Sequence, residues 1–144
     1  METLQEIMKK VLADTFALYL KAHNYHWNVE GSNFPQYHEF FGNLYKELHD
    51  AVDPIAEEIR SLDTYAPGSF TRFMELSEIE DETTVPTDVE MARRLMTDNE
   101  RVLATLNIAF KLADQFDKQG LADFLAGRID THNKHQWMLR SITK

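Results

Sequence analysis

Four histidines and several carboxylates lie close together in the chain, within the stretch HNYHWNVEGSNFPQYHEFFGNLYKELHDAVDPIAEE (residues 23–58). Imidazole and carboxylate groups are ligands that bind iron, manganese and zinc in proteins. The chain has no cysteine, which excludes disulfides, thiolate metal sites, iron–sulfur clusters and cysteine nucleophiles together. Any metal bound by this chain must therefore be held by imidazole and carboxylate groups.

Two pairs of residues within this stretch have spacings that suit metal binding. His26 and His38 flank a glycine turn between two predicted helices, so an antiparallel hairpin places their side chains next to each other. Asp53 and Glu57 are four residues apart and share one face of a helix. Asp53, however, follows His38 by 15 residues on the same helix, which separates their backbones by roughly 22 Å at a rise of ~1.5 Å per residue.

A single chain cannot bring the two pairs to one ion, because a helix is too rigid for its two ends to meet. On a helical wheel, one flank beside the apolar stripe of this helix carries His38, Gly42, His49, Asp53 and Glu57. That flank points away from the subunit's own core. The sequence therefore predicts metal sites at the seam of an antiparallel twofold dimer, where the imidazoles of one copy meet the carboxylates of the other.

Other arrangements of the histidines remain open. His49, Asp53 and Glu57 stand at successive four-residue steps and could bind a metal within one chain. His132 falls on an apolar stripe, so we interpret it as a hydrogen-bonded core residue in spite of His135 three positions later. The Glu-x-x-His pattern of an ordinary di-iron bundle is absent from the sequence. This absence argues against a ferritin centre built inside one bundle.

The elements that must position these side chains are helices. Apolar residues recur at steps of three and four, the period of amphipathic helices, over residues 4–29, 33–63, 87–119 and 121–139. Gly31 is predicted to end the first helix and Gly120 the third. The third helix begins at TDVE, a capping box in which Thr87 and Glu90 satisfy free backbone N–H groups.

Residues 64–86 are predicted to form a long connection with one short helix around TRFMEL. One long connection between two short ones is typical of ferritin-like folds. The predicted fold is therefore all-α, a ferritin-like four-helix bundle with a long crossover connection containing a short helix. A chain of 144 residues suits a single domain, residues 1–144.

Pro54 is unusual because it lies well inside the second predicted helix. Proline lacks a backbone N–H and its ring clashes with the preceding turn, at a cost of ~3 kcal/mol in a straight helix. We therefore expect a kink at this point. The alternative is that one helix ends near Val52 and another begins there, with Asp53 as its N-cap and Pro54 in its first helical position.

These motifs together resemble the Dps family, the mini-ferritins. The family pattern is a His-Trp-Asn stretch, a Gly-x-x-Phe turn, a His twelve residues after the first one, and an Asp-x-x-x-Glu further along. The corresponding segments here are HWNVEGSNF, His38 and DPIAEEI, and the ending HNKHQWMLRS is similar as well. The resemblance covers nearly the whole chain, and its spacing is more specific than any single cluster of ligands.

The resemblance implies a hollow dodecamer of subunits built from twofold dimers, with ferroxidase centres shared across each dimer. Such centres oxidise Fe(II), preferentially with hydrogen peroxide rather than oxygen, and the product is stored as a ferric mineral, which protects against oxidative stress. The metal ligands implied are His26, His38, Asp53 and Glu57, and the catalytic residues are His26, Asp53 and Glu57. Zinc and manganese suit the same ligands.

One departure from the family concerns the second iron. Four residues after the second His the family usually has an Asp, and this chain has Gly42. We expect one well-made iron site, from His26 of one subunit with Asp53 and Glu57 of the other, and a weak second site left to His38 and water. Slow or metal-selective oxidation would follow. The alternative is a shell with weakened ferroxidase activity that buffers metal.

Four further residues receive roles that depend on assembly. Trp27 is expected beside the centre, where its ring could intercept one-electron oxidants, although a large apolar side chain at a subunit contact needs no such role. A net charge of −9 per subunit attracts Fe²⁺. Openings that admit the ion are predicted near the start of the fourth long helix, with the candidate residues Asp117, Asp123 and Asp130.

Compartment and macromolecular partners follow from composition. No stretch approaches the roughly 18 apolar residues of a membrane span, and the start METLQEIMKK lacks a signal-like apolar run, so the protein is predicted to be cytoplasmic. The charge of −9 repels nucleic acid. DNA binders of the family often use a lysine-rich tail, whereas this chain begins almost directly with its first helix and ends just after its last. DNA binding is therefore not predicted, and a DNA-protecting shell acting through surface lysines or bridging metal ions is kept as an alternative.

Overall fold

The protein is all-helical, as predicted. The computed structural model describes residues 1–144. Its helices are α1 Glu2–Asn28, α2 Phe34–Ser61, α3 Phe70–Leu76, α4 Asp88–Gln115 and α5 Gln119–Ile142. None of them combines the length and the apolarity that crossing a membrane requires. The short helix α3 lies in the long connection between α2 and α4, where the sequence predicted it.

The four long helices surround one core of 27 buried apolar residues. α1 lies against both α2 and α4, and α4 lies against α5. The crossover places α3 on the outer side of α1, where Phe73 stacks on Phe16 with 4.8 Å between ring centroids. The architecture is the predicted four-helix bundle with one crossover.

Polar contacts tie the crossover to the bundle at two points. Glu82 accepts hydrogen bonds from the hydroxyl of Tyr25, at 2.6 Å, and from the guanidinium of Arg94, at 2.7 Å. Asp14, which is fully buried on α1, accepts the hydroxyl hydrogen of Ser77 at 2.8 Å. These contacts connect the crossover to α4 and to two parts of α1, its middle at Asp14 and its histidine-bearing end at Tyr25.

Pro54 does not divide the second helix. α2 runs unbroken from Phe34 to Ser61, so the alternative with a helix end near Val52 and a new N-cap at Asp53 is wrong. Pro54 is exposed, whereas Ala51 and Ile55 on either side of it are buried. The backbone carbonyl that loses its usual partner therefore lies on the solvent side, where water can satisfy it. Burial of the neighbouring apolar residues offsets the cost of the proline.

The turn between α4 and α5 differs from the prediction. α4 ends at Gln115 instead of near residue 119, and Gly120 lies in the first turn of α5. The left-handed backbone position belongs to Asp117, with φ of 56°, a conformation that aspartate tolerates better than most residues. The predicted stop at Gly31 is present, because this glycine adopts φ of 126° directly after α1.

The predicted capping box at the start of α4 is half formed. The hydroxyl oxygen of Thr87 accepts the backbone N–H of Glu90 at 3.3 Å. The carboxylate of Glu90 does not return to the cap and lies 3.4 Å from Nε of Arg94. Competition from the guanidinium explains the difference, since a charged donor attracts a carboxylate more strongly than a backbone N–H does.

Candidate metal centre

His26 and His38 meet where α1 ends and α2 begins. Their imidazole rings are stacked, with 3.8 Å between centroids and 16° between planes. Nδ1 of each histidine lies 2.7 Å from the backbone carbonyl oxygen of the other. A carbonyl oxygen can only accept, so each Nδ1 carries the proton. Each Nε2 therefore keeps its lone pair, and this is the form in which an imidazole binds a metal.

Aromatic residues hold the hairpin that carries this pair. Tyr25 and Phe41, neighbours of the histidine pair on the core side of the hairpin, are both fully buried, with 6.0 Å between ring centroids. On the outer side, Phe34 stacks on His38 at 4.9 Å. The ends of α1 and α2 are therefore clamped together by packing, which fixes the position of the two imidazoles without any metal.

Gly42 lies next to the imidazole ring of His26. A Cβ atom at this position would lie 3.1 Å from both Cε1 and Nδ1 of His26. That distance is shorter than an ordinary van der Waals contact, so any side chain at position 42 would require the imidazole to move by a few tenths of an ångström. The glycine supplies no ligand, and it allows His26 to pack closely against α2.

Asp53 and Glu57 lie one turn apart and are exposed on α2. Asp53 raises the pKa of Glu57, because the two carboxyl groups can share a proton in a hydrogen bond and because their negative charges repel. A divalent cation would relieve that repulsion. The pair is thus suited to hold a metal ion.

The two pairs remain far apart within one chain. α2 is continuous, so its rise separates His38 from Asp53 by roughly 22 Å. No three His, Asp or Glu side chains of the chain come together as a metal site. The alternative site of His49, Asp53 and Glu57 is therefore not assembled within one subunit. The ring of His49 packs beside Tyr19 instead, with 4.9 Å between centroids.

A second set of rings, which we name the aromatic row, adjoins the histidine pair; it consists of Tyr19, His23, Trp27 and Tyr45. The ring of His23 is parallel to that of Tyr45, with 3.7 Å between centroids and 6° between planes. The ring of Trp27, which is 59% exposed, also packs against the ring of His23, with 3.9 Å between centroids. The ring of Tyr45 in turn lies 5.2 Å from that of His26.

Sequence reasoning missed most of the aromatic row. Only Trp27 was assigned a position beside the centre, and the structure places it against His23. Partial burial and then the nearby charges of His26 and His49 lower the pKa of His23. The spacing of Tyr19, His23 and Trp27, at successive four-residue steps on one face of α1, was the signal that could have found them.

His132 lies in the core, as predicted, and is fully buried. Its Nδ1 is 2.7 Å from the amide oxygen of Asn99 and its Nε2 is 2.9 Å from the guanidinium of Arg128. Because the guanidinium can only donate and the amide oxygen can only accept, Nδ1 carries the proton and Nε2 accepts. Burial and then the charges of Arg128 and His135 hold the pKa of His132 well below its ordinary value. No ring nitrogen is left for a metal.

Glu47, a residue that sequence reasoning did not select, joins α2 to this network. It accepts hydrogen bonds from Arg128 and lies 2.7 Å from Nε2 of His135. Although burial opposes its ionisation, the hydrogen bonds with His135 and Arg128 lower the pKa of Glu47 to about 2. The network is therefore an ion-paired connection between α2 and α5.

The three aspartates proposed for iron entrance are all exposed. Asp117 lies in the turn between α4 and α5, and Asp123 and Asp130 lie on α5, seven residues apart. Asp130 forms an ion pair with Lys134 at 3.3 Å. Within one chain these carboxylates do not converge on a common point.

Comparison with known proteins defines the class. The family model for the ferritin-like domain matches residues 5–144, so the chain is a ferritin-like protein. Similar sequences include a low temperature-induced protein of Nostoc sp., 34% identical over 138 residues (94% of this chain, 77% of that protein). Another is DNA protection during starvation protein 2 of Bacillus anthracis, 33% identical over 137 residues (95% of this chain, 94% of that protein).

The fold points to the same group of proteins. The crystal structure of a Dps protein from Bacillus brevis superimposes with a TM-score of 0.95 at 29% identity, covering 99% of this chain and 96% of that one. The chain belongs to the Dps family. Membership supports a role in iron storage or stress protection.

Proposed function

We propose that copies of this chain assemble into a hollow dodecamer that oxidises Fe(II) with hydrogen peroxide and stores the ferric product inside. Removing both reactants would protect the cytoplasm from oxidative stress. The observation that carries the proposal is the separation of two complementary ligand pairs along α2. His26 and His38 present free Nε2 atoms at one end, and Asp53 and Glu57 present a carboxylate pair roughly 22 Å away.

A twofold dimer with antiparallel α2 helices would complete both pairs at once. Such a contact is self-complementary, so if the imidazoles of one copy meet the carboxylates of its partner, the reverse contact follows by symmetry. The axis would pass midway between the pairs, near Tyr45 and His49. Each dimer would then hold two equivalent centres, one at each end of the shared seam.

At each centre Fe(II) is the substrate, held by Nε2 of His26 together with the partner's Asp53 and the partner's Glu57. Anionic oxygen ligands attract Fe(III) more strongly than Fe(II), because the attraction grows with the charge of the ion. They therefore lower the reduction potential and favour electron loss to peroxide.

Gly42 would make the two iron positions of the proposed centre unequal. The first has an imidazole and two carboxylates, whereas the second is left with His38 and water. Weak binding of a second iron would slow oxidation relative to a centre with a carboxylate at position 42. Zinc and manganese suit the first position as well, since its ligands are imidazole and carboxylate.

The negative charge of the shell would attract iron toward the interior. A charge of −9 per subunit, multiplied over many subunits, concentrates Fe²⁺ around and inside the assembly. Three exposed aspartates lie before and along α5, namely Asp117 in the preceding turn, Asp123 near its start and Asp130 at its middle, and several copies of them around a symmetry axis would form an acidic opening.

Mutation of the carboxylates tests the centre. The double variant Asp53→Ala, Glu57→Ala should lose at least about 100-fold in the rate of Fe(II) oxidation by peroxide, because it removes two of the three ligands of the complete site. The matched control is Asp50→Ala with Glu58→Ala, which removes the same charge from other faces of α2 and should keep the rate. Equal rates in the double variant and the unmodified protein would refute the site.

Mixed assembly tests whether the centre is shared. Chains carrying His26→Ala with His38→Ala, and chains carrying Asp53→Ala with Glu57→Ala, should each be inactive alone. A dimer containing one chain of each kind has one fully intact centre, so refolding the two together should restore about a quarter of the activity if pairing is random. A mixture that stays inactive would show that each centre belongs to a single chain.

Gly42 also favours a second candidate function, a shell that buffers iron or zinc with little oxidation. That function predicts metal retention that depends on Asp53 and Glu57, without acceleration of Fe(II) oxidation by peroxide or oxygen. A DNA-protecting shell would instead retard mixed-sequence DNA in gels at low salt, and the charge of −9 opposes it.

A further inference from the structure

The aromatic row contains a phenol with its own proton acceptor. The hydroxyl of Tyr19 lies 3.0 Å from Nδ1 of His23, and with the proton of His23 on Nε2 the phenol donates to Nδ1. His23 stacks on Tyr45 at 3.7 Å, and Tyr45 lies 5.2 Å from His26. Neighbouring aromatic rings therefore lead from Tyr19 to a ligand of the proposed centre.

The proposed centre needs an electron donor of this kind. Hydrogen peroxide takes up two electrons when it forms two water molecules, whereas oxidation of one Fe(II) supplies one electron. Gly42 gives no ligand to a second iron, and a Cβ at this position would lie only 3.1 Å from the ring of His26. An iron that acts alone would cleave peroxide into hydroxide and a hydroxyl radical, so a nearby one-electron donor decides whether that radical forms.

We propose that Tyr19 is this donor and that His23 accepts its proton; the inference rests on the proposed function. In the balanced step, Fe(II), the Tyr19 phenol, neutral His23, one hydrogen peroxide and two protons from solvent give Fe(III), a neutral Tyr19 phenoxyl radical, protonated His23 and two waters. Fe(II) and Tyr19 each lose one electron, and both electrons enter the O–O bond, which breaks. The phenolic proton moves to Nδ1 of His23.

The next Fe(II) returns Tyr19 and His23 to their starting states. It gives one electron to the phenoxyl radical of Tyr19, and His23 returns the proton to the phenolic oxygen. The sum of the two steps is two Fe(II) oxidised by one hydrogen peroxide, with two protons consumed and two waters formed. A centre with one complete iron site can in this way carry out a two-electron reduction without releasing a radical.

Tyr19 is distinguished from the other oxidisable rings nearby by its proton acceptor. A phenol that loses an electron becomes a strong acid, so oxidation is easy only where a base is in place. Neither Tyr45 nor Trp27 has a hydrogen-bond acceptor for its polar hydrogen within the chain. Tyr25 does have one, Glu82 at 2.6 Å, but its ring faces the core beside Phe41 and stands outside the row.

The test is freeze-quench electron paramagnetic resonance on the assembled protein, loaded with one Fe(II) per centre and mixed with hydrogen peroxide. The expected signal is an organic radical that narrows when the protein contains ring-deuterated tyrosine. Tyr19→Phe should abolish it and should raise spin-trapped hydroxyl radical several-fold while Fe(II) is still oxidised. His23→Phe keeps an aromatic ring against Tyr45 but removes the base, and should have the same effect.

The matched control is Tyr37→Phe, a buried tyrosine beside His38 that packs towards the core at 5.7 Å from Phe41; it should keep the radical. Persistence of the signal in Tyr19→Phe would overturn the inference, as would a signal that responds to deuterated tryptophan. Fe(II) oxidation without any radical would also overturn it and would leave the proposed function standing. Absence of Fe(II) oxidation in the unmodified protein would overturn both.

Discussion

The two histidine pairs of this chain use the same side chain in opposite ways. His26 and His38 donate through Nδ1 to backbone carbonyls and keep Nε2 free. His132 has both ring nitrogens bonded to side chains, and His135 contacts a carboxylate through Nε2. The first pair is partly exposed at the end of a hairpin, whereas the second is buried between α4, α5 and α2.

The type of hydrogen-bond partner explains the difference. A backbone carbonyl fixes the tautomer of an imidazole and leaves one lone pair available, so the ring is ready for a metal. Side-chain partners on both nitrogens satisfy the ring of His132, and this histidine then connects helices. The comparison predicts that changes in the buried network alter stability most, and that changes near the outer pair alter chemistry most.

Removing Glu47 gives the largest expected change in stability. The substitution Glu47→Ala leaves the guanidinium of Arg128, whose side chain is 9% exposed, without its anion. The free energy of unfolding should fall by about 3 kcal/mol, measured by urea unfolding at a fixed subunit concentration. The control Asp50→Ala removes an exposed carboxylate from the same helix and should change stability by less than about 0.5 kcal/mol. Equal effects of the two substitutions would break the comparison.

Lowering the pH should reduce the free energy of unfolding, because the folded protein holds His132 neutral. Its folded-state pKa lies well below the ordinary value of 6.5, so below pH 6.5 the unfolded chain takes up a proton that the folded chain does not. The free energy of unfolding should therefore fall with decreasing pH by up to about 1.4 kcal/mol per unit from this residue.

The measurement is urea unfolding between pH 7 and pH 5. His132→Gln removes the titrating group and should give a shallower slope, whereas the control His49→Gln removes an exposed histidine and should change the slope less. If His132→Gln leaves the slope unchanged, the buried histidine is not held neutral, and the contrast between the two pairs is lost.

Substitutions at Gly42 should have the smallest effect on stability. They test how position 42 affects the histidine pair of His26 and His38. Gly42→Ala adds a Cβ 3.1 Å from His26, which opposes the gain of ~1 kcal/mol in helix propensity, so the free energy of unfolding should change by less than about 1 kcal/mol. Gly42→Asp adds the same Cβ together with a carboxylate.

The comparison of the two variants separates crowding from ligation. Both should displace His26, but only Gly42→Asp can bind a second iron, so it should oxidise Fe(II) with peroxide faster than Gly42→Ala does. Equal rates in a stopped-flow assay would mean that position 42 does not face the second iron.

Much of the fold was predictable because the burial of one helix face is a local property of the sequence. Apolar residues at steps of three and four predicted the four long helices, and the length of residues 64–86 predicted the crossover. The neighbourhood of His26 and His38 was predictable too, since a short turn makes two helices antiparallel. His132 was assigned to the core because it falls on an apolar stripe.

One local prediction and one alternative were wrong, because local preferences competed with packing. Gly120 was expected to end the third long helix, yet Asp117 takes the left-handed position, since aspartate and glycine both tolerate it and only the docking of α5 on α4 selects one. The alternative in which Pro54 divides α2 is wrong, whereas the predicted single helix over this segment is confirmed. The cost of a proline is visible in the sequence, whereas the burial that offsets it is not.

The sequence by itself determined which residues share a helix face, because that depends only on the helical repeat. The tertiary structure alone decided what each face meets. Glu47 and His135 are 88 residues apart in the chain and 2.7 Å apart in space, His23 stacks on Tyr45, and His26 packs on Gly42. These contacts depend on how neighbouring helices pack against one another, and helical periodicity carries no information about the neighbour.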